Sequence, residues 1–118
     1  VKQLGTLTDN VPYTAYNARK SFIENNKDTI KKFNTAIQKG LDFVNTHTSD
    51  EITKAIMNQF PDTSYNDIKN SIESYKQNNT WPENTKFTKE SFNHLQDIVI
   101  EAGFLNKKVN YKDLIYEQ

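Results

Sequence analysis

The chain has 118 residues, with 15 Lys and Arg against 15 Asp and Glu, no Cys, one Met, one Trp, three Gly and three Pro. That length fits one small domain, burying about 65% of the surface its extended chain would expose. The charge balance removes the electrostatic basis for general nucleic-acid or anionic-membrane binding, and without Cys there is no disulfide, thiolate zinc site or cysteine nucleophile.

Leu, Ile, Val and Phe number 6, 10, 5 and 7. Their share lies above the roughly one-fifth below which chains tend to stay disordered. A mean hydropathy of −0.85 nevertheless predicts a thin core. No apolar run approaches the ~20 residues of a membrane span, and no signal peptide is recognisable. The chain opens on Val1 rather than Met, which suggests a piece cut from something longer. Lysine outnumbers arginine 14 to one, and there are 15 Asn and 10 Ile, a pattern that coding bias explains. A lone Arg19 also argues against an enzyme that clamps anions with arginine's planar fork.

Residues 1–12 scatter Leu4, Leu7 and Val11 among Gly5, Thr6, Thr8, Asp9, Asn10 and Pro12, as in a loop or strand end. Tyr13 to Ala18 carries aromatics and Thr, which favours a short strand. Ser21 to Asn26 reads as one helical turn stopping at the Asn pair.

From there the spacing is helical. Ile30, Phe33, Ile37, Leu41 and Val44 recur at steps of three and four along one stripe. Asn26 can cap this helix, Asp28 suits the positive end of its dipole, and Thr46-His47-Thr48 closes it. Thr48-Ser49-Asp50-Glu51 has capping-box spacing and opens a second helix through Ile52, Ala55, Ile56 and Phe60 to Pro61. A third starts at Thr63 or Ser64 and carries Tyr65, Ile68, Ile72 and Tyr75. Gln77 to Phe87 is a polar stretch containing Trp81-Pro82. Thr88 caps the fourth helix, with Phe87 stapling to Phe92; Phe92, Leu95, Val99 and Ala102 form its stripe, and Gly103 ends it in a left-handed C-cap. Tyr111 to Tyr116 adds a short final turn. There is no internal repeat and no low-complexity segment.

Chemistry-bearing patterns are sparse. His47 and His94 are far apart in sequence, and neither has a second ligand at a metal-binding spacing, so they read as solvated or capping histidines. Asp50, Glu51, Glu73, Glu90, Asp97 and Glu101 fall on polar helix faces, whereas general acid/base pairs need one carboxyl in an apolar pocket. No nucleophile elbow, P-loop or dinucleotide glycine motif occurs. Lys31-Lys32 and Lys107-Lys108 lack interleaved aromatics, which argues against a nucleic-acid groove. Tyr13, Tyr16 and Trp81 lie outside the helical stripes. They are either ligand contacts or a surface rim, with Trp81 alternatively a staple for the 77–87 loop.

The order of these segments resembles the C-terminal part of solute-binding proteins of ABC importers. The carriers are Val11-Pro12-Tyr13, Phe22-Ile23-Glu24-Asn25-Asn26 and the run Lys27 to Gly40, with Lys27 where the family usually has Pro. Asp50-Glu51-Ile52, Ile72-Glu73-Ser74-Tyr75, Trp81, Ala102-Gly103-Phe104-Leu105 and Val109 to Leu114 follow in order. Within that family the likeness is to the branch for nitrate, sulfonates, taurine and thiamine pyrimidine precursors (the NMT1/THI5-like type). It covers nearly the whole chain but about the last third of a full-length member.

The resemblance implies a mainly α fragment of a two-lobed α/β fold: one short N-terminal strand, then four amphipathic helices. Residues 1–24 would be a hinge-crossing loop and strand, and 25–118 a helical cover of the first lobe. It implies binding without turnover and no cofactor: a small solute is captured by lobe closure and delivered to permease subunits. The protein would be extracytoplasmic, an anchored lipoprotein when full length. Asp9 to Asn17 would approach the cleft, with Tyr13, Thr14 and Tyr16 as ligand contacts. The isolated segment, its stripes uncovered, would self-associate or exchange elements between chains. The competing reading is a self-contained helical protein-interaction module, and an enzyme stands third.

Overall fold

A computed structural model describes residues 11, 12 and 14–117. It contains six α-helices among the described residues: α1 (Lys20–Asn25), α2 (Lys27–Thr46), α3 (Ser49–Ile56), α4 (Tyr65–Gln77), α5 (Lys89–Glu101) and α6 (Tyr111–Leu114). No strand occurs among the described residues, which corrects the expected N-terminal strand and with it the α/β class. A strand requires a partner ladder, which β-favouring side chains cannot replace. Residues 14–19 are non-helical and exposed, and the Asn17 amide folds back onto Ala15 O at 3.0 Å. Tyr13 lies outside the described residues. No helix of the described residues is long and apolar enough to cross a membrane.

The chain divides into two compact units, Asp28–Thr85 and Val1–Lys27 with Lys86–Gln118.

In Asp28–Thr85 the ends of the helices are set locally. Thr48 and Glu51 form the expected capping box: Glu51 N–H donates to Thr48 Oγ1 (3.3 Å), and Thr48 N–H to Glu51 Oε2 (2.8 Å). α3 ends earlier than expected, tightening into a 3₁₀ turn at Met57–Gln59 before Pro61. Ser64 caps α4, accepting from Asp67 N–H at 3.2 Å. α4 closes with Asn79 at φ 49°, where Asn79 N–H reaches Lys76 O and Thr80 N–H reaches Tyr75 O. That bonding is a Schellman end with Asn in the left-handed position. α3 and α4 then pack through Ile52, Ile68 and Ile72, with Phe43, Val44, Ile56 and Trp81 against them. Ile52 is only 1% exposed, so its burial contributes about 1.5–3 kcal/mol. Thr53 is fully buried at no hydrogen-bonding loss, because its hydroxyl donates to Ser49 O at 2.6 Å. α2 itself has no buried residue, and its stripe is half-buried or, at Phe33, exposed.

In the other unit, Asn25 and Asn26 turn their amides onto Ser21 O and Phe22 O (2.8 Å each), closing α1. Thr88 caps α5, accepting from Ser91 N–H at 3.1 Å. Phe87 meets Phe92 edge-on at 6.0 Å, as the staple requires, and Phe92 meets Tyr111 at 5.8 Å. Gly103 at φ 78° ends α5, with Phe104 N–H on Val99 O, again the Schellman pattern. Gln96, outside the expected stripe, is buried and binds both sides of the Val109 backbone: Val109 N–H to Oε1 at 2.6 Å, and Nε2 to Val109 O at 3.2 Å.

Candidate functional site

The polar loop after α4 is held by side chains of α2. Gln38 donates from Nε2 to Glu83 O (3.0 Å) and accepts Thr85 N–H on Oε1 (3.2 Å), so one amide reads two points of the loop backbone. Asn45 Nδ2 donates to Pro82 O at 3.1 Å. These bonds satisfy loop groups that no helix or sheet ladder serves. They also fix Trp81, whose ring packs on the isoleucine core and meets Tyr75 edge-on, with centroids 5.5 Å apart at 85°.

An open hollow of about 210 Å³ results, lined by Asn45, Tyr75, Lys76, Asn79 and Trp81. Its lining combines two aromatic residues, Tyr75 with a hydroxyl and Trp81 with an indole N–H, with two amides and one ammonium. Tyr75 is half exposed there. A second open depression of about 460 Å³ runs along α2, between Asp28, Lys31, Lys32, Thr35, Ala36 and Lys39. It is a basic face of one helix, without an aromatic.

The acids whose titration the fold moves are moved down, by structural partners. The Lys54 ammonium, and then the Tyr65 hydroxyl, hold the Asp50 carboxyl below the usual range. Glu51 is lowered by the Thr48 backbone N–H and hydroxyl. Lys54 is raised by the same Asp50 contact. Tyr65 is raised by its bond to Asp50, and Tyr111 by burial and then Glu117. None of these groups is a carboxyl kept protonated for proton donation. Among the described residues no group of three His, Asp or Glu side chains is placed to hold a metal ion. His47 closes α2, its Nδ1 2.9 Å from Phe43 O and its ring stacked on Phe43 at 4.0 Å, in keeping with a capping histidine.

Of the residues singled out from sequence as ligand contacts, Tyr13 lies outside the described residues, while Thr14 is exposed and Tyr16 is 76% exposed. Neither Thr14 nor Tyr16 lines the hollow. Trp81 takes the staple role and also borders the hollow. Asn45, Tyr75, Lys76 and Asn79 were not singled out as site residues. Tyr75 reads as one more apolar position of α4, and only the Asn78-Asn79 pair signals a left-handed helix end.

Over all 118 residues the chain is 33% identical to the Bacillus subtilis (strain 168) protein named "Putative binding protein YtlA". The chain spans 35% of that protein's length. It is thus related along its whole length to part of a protein described as a binding protein. No protein-family model matches the chain, and no solved structure matches it.

Proposed function

We propose that this chain serves, as part of a larger protein, in the substrate-binding component of an ABC importer, capturing a small solute and passing it to the membrane permease. The observation that carries the reading is the relationship over the full 118 residues to a stretch of a named binding protein. The order of motifs set out above adds the finer assignment to the branch for nitrate, sulfonates, taurine and thiamine pyrimidine precursors. α2 supports a role within a larger body: it is a 20-residue amphipathic helix with no buried residue. Lone apolar side chains on a surface are ordinary, but a continuous half-covered stripe marks a contact face.

The same reading makes the protein a binder and not a catalyst, in keeping with acids that serve as caps and ion pairs. It places the full-length protein outside the cytoplasm as an anchored lipoprotein. It also has the isolated chain self-associate through its uncovered stripe. Uptake assays test the importer role. A strain lacking the protein should lose uptake of one solute among nitrate, alkanesulfonates, taurine and hydroxymethylpyrimidine, and regain it when the gene is returned. Unchanged uptake of all of them would contradict the proposal.

A further inference from the structure

The hollow at the end of α4 has the makings of a second, separate binding site. Its two rings stand nearly perpendicular, so Tyr75 and Trp81 form an apolar corner. A pyranose ring has C–H faces that suit such a corner and a hydroxyl edge that must be hydrogen-bonded when it leaves water. The Asn79 amide carries donors and an acceptor, and Asn45, with one N–H on Pro82 O, keeps its acceptor and a second N–H, the combination that adjacent hydroxyls require. The Lys76 ammonium adds the one charge of the lining and favours an anion. A space of about 210 Å³ is of the size of one sugar ring.

Preorganisation points the same way. The loop carrying Trp81 is fixed by Gln38 and Asn45, and the left-handed Asn79 terminates α4 beside it. A site already rigid loses less entropy when a ligand binds. We propose that this hollow binds a single acidic sugar residue, its ring against Tyr75 and Trp81, its hydroxyls on Asn45 and Asn79, and its carboxylate on Lys76. The proposal does not rest on the importer reading, since every residue of the hollow lies within Asp28–Thr85.

Trp81 is the single tryptophan of the sequence and therefore reports directly on the site. Titrating the 118-residue chain with glucuronate or galacturonate should change Trp81 emission saturably, with half-saturation on the order of 1 mM for so small a ligand. Glucose should bind several-fold more weakly. Lys76→Gln should cost the uronate about three- to five-fold, as expected of an exposed ion pair, and leave glucose unchanged. Tyr75→Ala should abolish saturation while circular dichroism keeps its helical signal. Amide shifts in nuclear magnetic resonance should cluster at residues 45, 75, 76, 79 and 81. The proposal is overturned by a linear, unsaturated response, by shifts located elsewhere, or by equal affinity for glucose and uronate in the unaltered chain.

Discussion

The two units solve the problem of a thin core in different ways. Asp28–Thr85 concentrates apolar burial in three isoleucines from two adjacent helices, and then hangs a polar loop on amide side chains. The unit containing α5 and α6 has no such cluster among the described residues. It relies on an edge-to-face series, Phe87 to Phe92 to Tyr111, and on polar locks from Gln96 and the Tyr111 hydroxyl, which lies 2.5 Å from Phe87 O. Where few apolar residues are available, a buried amide with both ends satisfied substitutes for side-chain packing. That device is costly to break, because it leaves backbone groups without partners.

The largest contrast comes from truncating the centre of each unit. Phe92→Ala should cost about 3–5 kcal/mol and Ile52→Ala about 2–5 kcal/mol, read from urea unfolding. Hydrogen exchange should show each loss first in its own unit. Equal acceleration throughout the chain after either substitution would mean that the two are energetically one.

The polar lock comes next. Gln96→Ala should cost about 1–3 kcal/mol by stranding Val109 N–H and C=O, more than a surface amide would. Helix ends are smaller. Thr48→Ala should cost about 1 kcal/mol. Gly103→Ala should cost a comparable amount through backbone strain alone, since the added methyl meets nothing within 4 Å.

Titration gives the smallest effects and separates acid from alkali. Asp50 and Glu51 are depressed in the folded chain, so their stabilisation is present above their unfolded values and fades as pH falls through the folded ones. Tyr65 and Tyr111 are raised, so theirs is present below the usual phenol value and fades as pH climbs through the folded one. Glu51→Gln should flatten the acid limb of a melting-temperature profile, and Tyr111→Phe the alkaline limb. The reverse pattern would show that other groups govern both.

What the sequence made legible was local. Capping residues Thr48 and Thr88, the Phe87–Phe92 staple and the left-handed Gly103 all act within a turn or two, and the structure places each as read; of the two starts open for the third helix, Thr63 and Ser64, it takes Ser64. The strand expected at Tyr13–Ala18 failed because it needs a distant partner that propensity cannot supply. Gln96 was missed for a related reason: its partner is Val109, thirteen residues on, and a polar residue on a helix reads as solvated until that partner is known. The hollow was half visible. Trp81 stood out of the stripes, whereas Asn45 and Lys76 reach it only through the way the loop is tied down.

Thermal denaturation of the protein carrying these residues tests most directly the proposal that they belong to a solute-binding protein. One solute among nitrate, the sulfonates, taurine or hydroxymethylpyrimidine should raise the melting temperature in proportion to the logarithm of its concentration, with a gain of about 2.7 kcal/mol at one hundred times its dissociation constant. A melting temperature that stays constant across all of them, at concentrations up to tens of millimolar, would contradict the claim.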